Sequence, residues 1–180
     1  LSNIVISKHY HRNFDKIGFN FWGDQLKKLK NRLLNLAIGE LAAVIVFIYV
    51  YQLFDLGKAS LLAFTYLIFI LLQGSMYWMY RYILLIKQQQ VHFKMVQFLK
   101  LFRILNLILL IIIAGSMPFI KNDTKDILAA MGIFLFGFIE YINYYWYRLS
   151  YGTSGFNLKT LLNTSLKKSS INKLITQYTK

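Results

Sequence analysis

The sequence predicts an all-α, polytopic membrane protein: a bundle of four transmembrane helices with cytoplasmic amphipathic segments. Three observations carry this reading. Four apolar stretches have the length of a membrane span, the basic residues cluster on alternate loops, and only 16% of the 180 residues are charged while 57% are apolar. An ordinary globular chain carries roughly 25% charged residues, and a domain of this size has too little interior to hide so much apolar surface. Strands are a poor alternative, because the apolar runs are continuous rather than alternating and too few to close a barrel.

A helix rising about 1.5 Å per residue needs roughly 20 apolar residues to cross about 30 Å of hydrocarbon. The first such stretch runs over 33–54 and the second over 61–80. The third, 104–120, is the shortest, and the fourth covers 127–147. Asp55-Leu56-Gly57-Lys58 is a tight turn that makes the first two spans an antiparallel hairpin. Gly115-Ser116-Met117-Pro118, with the chain's one proline, closes the third span. Asp123, Thr124 or Asp126 is placed to cap the fourth. Gly39 and Ala43 form a small-xxx-small pair through which a neighbouring helix would approach.

Orientation follows from the cations. Of the 21 Lys and Arg residues, 18 lie before the first span, between the second and third, or after the fourth, and 3 lie in the other two loops. That alternation places both termini and the middle loop in the cytoplasm, and the protein in the plasma membrane. It also accounts for the net charge of +14 without a nucleic-acid partner. The chain begins at Leu1, and its first apolar run starts too far in and runs too long for a cleavable signal.

Three regions result. Residues 1–32 form a cytoplasmic, interfacial segment in which Trp22, Lys27 and Lys28 lead into the first span at headgroup level. Residues 33–147 are the transmembrane domain. In its middle loop Val91, Met95, Phe98 and Phe102 recur at helical spacing, which reads as an extension of the third span. Residues 148–180 are a basic tail. Its two apolar groups, one around Leu158, Leu161 and Leu162 and one of Ile171, Leu174, Ile175 and Tyr178, suit short helices on the membrane surface or a loosely ordered tail.

Polar groups inside the spans are the candidate site. Glu40 lies eight residues past Arg32, Gln73 eight before Arg81 and Glu140 eight before Arg148, so each sits about 12 Å from its basic flank. Asn143 shares a face with Glu140, and Asn106 enters the third span near the same border. Folded as a bundle, these side chains meet in one layer. An ionisable group at mid-membrane costs about 3 kcal/mol on insertion scales, yet the first span holds about a dozen apolar residues worth roughly −0.3 to −0.6 kcal/mol each. A structural reading, in which the layer holds helices together by hydrogen bonds, therefore competes with a proton, cation or substrate site.

Tyr77, Trp78, Tyr80 and Tyr82, with Tyr141, Tyr144, Tyr145, Trp146, Tyr147 and Tyr151, read as an inner aromatic belt. Within it Trp78, Tyr144 and Trp146, beside Arg81 and Arg148, would contact headgroups, with anionic lipid as the partner. No cysteine is present, which excludes thiolate chemistry and disulfides. His9, His11 and His92 lack the clustered acids or thiols of a metal site, and no phosphate loop, nucleophile elbow or zincin motif occurs. No cofactor is expected. The favoured function is non-enzymatic: a binding, accessory or immunity-type protein of a bacterial membrane, within a homo-oligomer or larger membrane complex. A small transporter or ion pathway using Glu40 and Glu140 is the alternative, followed by an enzyme acting on a lipid at the inner face.

Overall fold

The computed structural model describes residues 2–54, 56–120, 123–149 and 167–178, with side chains from Gly23 onward. It is all helical apart from turns and one isolated antiparallel bridge, Tyr147 with Lys168. Helix α1 is Ser2–Gln52, α2 is Lys58–Lys87, α3 is Phe93–Ser116, α4 is Thr124–Tyr145 and α5 is Ser170–Gln177. Four stretches are long and apolar enough to cross a membrane: Gly23–Gln52, Lys58–Lys87, Phe93–Phe119 and Thr124–Tyr145. Helices α2 and α4 coincide with their apolar stretches, and the third stretch continues past α3 through a short 3-10 turn, Met117–Phe119.

The four spans are not equivalent. Of the α2 window 56% is buried, against 22% or less for each of the others. Helix α2 is the axis, with α1 antiparallel to it and α4 parallel to it. From α1 it receives a stripe at helical spacing, Leu33, Ala37, Val44 and Phe47. The remaining faces of α1 and α3 expose Ile45 and Ile111, each at 65% or more, as surfaces meant for lipid tails would.

Close approach of α1 and α2 occurs at Ala37, fully buried, whose carbonyl accepts the Ser75 hydroxyl at 3.0 Å. Gly39 is not the contact expected for it. It is exposed, and a Cβ built there meets nothing within 4 Å. The glycines that matter lie between α2 and α4. Tyr66 of α2 covers Gly137 of α4, and Tyr144 of α4 covers Gly74 of α2 so tightly that a Cβ on Gly74 would lie 2.5 Å from its ring. Two tyrosine-over-glycine contacts, about two helical turns apart, lock the parallel pair in register.

At the short-turn end, Gly57 occupies the N-cap position of α2 and has no side chain to cap with. Asp126 supplies the cap from α4. One carboxylate oxygen accepts Gly57 N–H at 2.9 Å, Ser60 N–H at 3.1 Å and the Ser60 hydroxyl, and the other accepts Ala59 N–H at 3.1 Å. Of the residues expected to cap α4, Asp123 stands at its N-cap without a side-chain bond, while Asp126 serves the neighbouring helix.

At the basic end the middle segment does extend the third span: His92 caps α3, its Nδ1 accepting from Lys94 N–H at 3.3 Å. The buried stripe is Val96, Leu99, Asn106, Leu110 and Ile113, with Phe98 exposed. The second apolar group of the tail does not lie on the membrane surface. Ile171, Leu174 and Ile175 of α5 are buried in the main core, where they close the bundle beneath α3 and α4. Ser169 caps α5, Ser170 accepts from Tyr77 at 2.9 Å, Asn172 donates to the Trp146 carbonyl at 3.0 Å, and Tyr178 donates to the Val91 carbonyl at 3.0 Å. These bonds outbid a lipid surface because they satisfy polar groups as well as covering apolar ones. Trp22, Tyr151 and the Leu158 group fall outside the residues described with side chains.

A candidate intramembrane site between the first and fourth spans

The polar layer divides about α2. On the α3 side, Gln73 and Asn106, both buried, form a reciprocal amide pair: Asn106 Nδ2 donates to Gln73 Oε1 at 2.7 Å, and Gln73 Nε2 donates back at 3.4 Å. The Tyr145 hydroxyl adds a bond to the same Gln73 oxygen at 2.7 Å, and Asn106 also donates to the Phe102 carbonyl at 2.8 Å. Three helices are joined through one glutamine whose oxygen and nitrogen are both engaged. Such a buried hub fixes helix positions.

On the other side, Glu40 of α1 and Glu140 of α4 lie within electrostatic reach of the same Tyr144, whose hydroxyl is on the Glu40 side. Glu140 accepts from Asn143 Nδ2 at 3.3 Å, and the Asn143 oxygen in turn accepts Leu149 N–H at 3.0 Å. Tyr144 is 95% buried, a Tyr66 neighbour in that respect, and its hydroxyl has no aligned hydrogen-bond partner. It is aimed at Glu40 over the space left by Gly74. Glu40 and Glu140 are themselves only half-buried. Two partly exposed carboxyls thus lie beside one buried phenol.

Farther toward the short-turn end α1, α2 and α4 border an apolar cleft of about 540 Å³, lined by Phe47, Tyr51, Phe54, Phe64, Gly132 and Phe136. Phe47 and Phe136 touch across it with centroids 5.6 Å apart, and Tyr51 stacks on Phe64 at 4.2 Å. The α1–α4 side of α2 therefore carries an aromatic groove toward the short-turn end and two carboxyls toward the basic end.

Several expected belt aromatics are core residues. Tyr77, Tyr141, Tyr144 and Tyr145 are each 5% exposed or less. A tyrosine suits a bundle interior as well as an interface, since its ring packs while its hydroxyl finds a buried acceptor; Tyr141, for example, donates to the Arg103 carbonyl at 3.2 Å. Trp78, Tyr80, Tyr82 and Trp146 are half-buried and Tyr147 is exposed. Trp146 packs beneath the Arg103 guanidinium at 3.6 Å, a cation–π contact. Lys27 and Lys28 are exposed on α1, and Arg148 joins the tail through its backbone N–H to Lys167 at 2.9 Å.

What the α1–α4 site can do chemically is accept hydrogen bonds. Its carboxyls offer lone pairs to a donor entering from the side, and nothing among the described residues around them forms a nucleophile–base pair. Searches against family models, curated proteins and solved structures return no match for this chain.

Proposed function

We propose that the protein acts by binding inside the membrane, as a non-enzymatic accessory or immunity-type component of a bacterial plasma membrane, with both termini and the middle loop cytoplasmic. The occupant of the α1–α4 groove is a transmembrane helix of a partner protein, bearing a basic, amide or hydroxyl donor at the depth of Glu40 and Glu140. The observation that carries this is the contrast within one layer: Gln73 and Asn106 are bonded to each other, and Gln73 to Tyr145, in the buried interior, whereas Glu40 and Glu140, beside the Tyr144 hydroxyl, are only half-buried and keep acceptor lone pairs free of any backbone donor among the described residues. In hydrocarbon an ionisable group rarely faces lipid and pairs with a complementary one. The orientation rests on the distribution of Lys and Arg.

The test uses single cysteines, which the native chain lacks. Cysteine at Leu128, on the rim of the groove, should give one crosslinked species in intact membranes, and cysteine at Ile111 on the lipid face of α3 should not. The attached peptide should be an apolar segment with a donor, and Glu40→Gln with Glu140→Gln should weaken the adduct about tenfold, as loss of charge-assisted bonds would. Equal crosslinking at both positions, or a purified monomer that keeps its cellular activity, overturns the proposal.

The nearness of Glu40 and Glu140 to one Tyr144 favours one second reading, a proton or cation pathway. It requires a flux in proteoliposomes that the same double substitution abolishes.

A further inference from the structure

A second cleft, of about 340 Å³, lies at the basic end where α1, α2, the turn after α2 and α5 meet. Leu29 and Leu33 of α1, Leu84 and Leu85 of α2 and Leu174 of α5 make it apolar, and Arg81 enters it from α2. Gln88 ends α2 in the left-handed conformation, φ 52°, and both its N–H and that of Gln89 bond back to the Leu84 carbonyl. The chain therefore folds over the end of α2 and brings Gln89 and Gln90 to the rim, opposite Gln177 of α5. Such a turn is costly for a residue with a side chain, and here it builds one wall of the cleft.

Arg81 is half-buried, no acid lines the cleft, and among the described residues no acceptor takes its guanidinium hydrogens. Five fixed donors on an apolar wall, ringed by three carboxamides, match a phosphate, whose oxygens take a guanidinium fork and neutral N–H donors together. A free phosphate has no use for the leucines; a lipid has. The position, among the cations that flank the spans, is where basic pockets between helices hold lipid headgroups.

We propose that this cleft is a specific site for an anionic phospholipid, with Arg81 on the phosphate, the glutamine amides on its remaining oxygens and an acyl chain along Leu29 and Leu33. By seating a lipid between α1 and α5, the site couples the closing helix of the tail to the lipid around the bundle. It lies at a different helix junction from the α1–α4 groove and stands or falls separately from the partner-helix reading.

The experiment is native mass spectrometry of the full chain released from phosphatidylcholine bilayers with and without phosphatidylglycerol, alongside thermal unfolding in each. The wild type should retain phosphatidylglycerol over phosphatidylcholine and unfold at higher temperature with it. Arg81→Gln should lower retention about tenfold, and Arg81→Lys, which keeps the charge without the fork, should fall between. Leu29→Trp fills the cleft from an exposed position and should lower retention while leaving Arg81 in place, so the result does not depend on one substitution. Lys173→Gln, on the exposed face of α5, should change nothing. Equal losses in Arg81→Gln and Lys173→Gln would reduce the effect to general charge attraction and overturn the site. Full replacement of the lipid's stabilising effect by inorganic phosphate would assign the cleft to free phosphate and overturn the lipid assignment.

Discussion

Asp126 and Glu140 stand on the same helix, fourteen residues and about 21 Å apart, and they use a carboxylate in opposite ways. Asp126 is wrapped: both oxygens accept from the first turn of α2, and the side chain is 95% buried. Glu140 keeps one internal bond, from Asn143 at 3.3 Å, and is only half-buried. A carboxylate in a bundle becomes structure when backbone N–H groups consume its lone pairs, and it stays available when they do not. The same division separates Gln73 from Glu40, although the two share a depth in the layer.

Substitutions can break or sharpen this contrast. The largest effect belongs to Asp126→Ala, which strands three N–H groups of α2 at once. The unfolding free energy, read by steric trapping, should fall by about 2 kcal/mol, and Asp126→Asn, which keeps one good acceptor, should cost about half. Asn106→Leu removes two bonds of the Gln73 hub and should cost about 1 kcal/mol, the range of interhelical hydrogen bonds in membranes. Gly74→Ala should also cost about 1 kcal/mol, because the new methyl displaces the tip of the Tyr144 ring. Gly39→Ala, with open space around it, serves as its neutral control. The smallest change is Glu140→Gln, below about 0.5 kcal/mol, since the amide keeps an acceptor for Asn143. A cost equal to that of Asp126→Ala would make Glu140 a structural residue and remove the contrast.

Much of this architecture is legible in the sequence. The four spans appear as apolar runs, because backbone in hydrocarbon must satisfy its own hydrogen bonds and length follows from thickness. Helical counting from Arg32, Arg81 and Arg148 places Glu40, Gln73 and Glu140 at one depth, and Asn106 near it. Rotation about each helix axis is what counting leaves open, and rotation sends Gln73 toward Asn106 and Glu40 toward Glu140. The same gap misassigns Gly39: a glycine permits close approach but does not choose the partner, and Ala37, two residues earlier, faces α2 instead. Tyr144 and Tyr145 carry no signal that separates a belt from a core. The stripe of Ile171, Leu174 and Ile175 announces a buried face, while what buries it is decided by Tyr77, Trp146 and Val91, all distant in sequence. Asp126 bonds to residues 66 to 69 positions earlier, a separation no local pattern reveals.

That separation has a consequence for how the chain is made. The α1–α2 hairpin emerges first, and its turn presents the N–H groups of Gly57, Ala59 and Ser60 with no acceptor of their own until α4 arrives. The bond that completes the second span is supplied by the fourth, so the hairpin reaches its final stability only once α4 has been made. A chain halted after the third span would leave those three N–H groups without the carboxylate that joins them to the rest of the bundle.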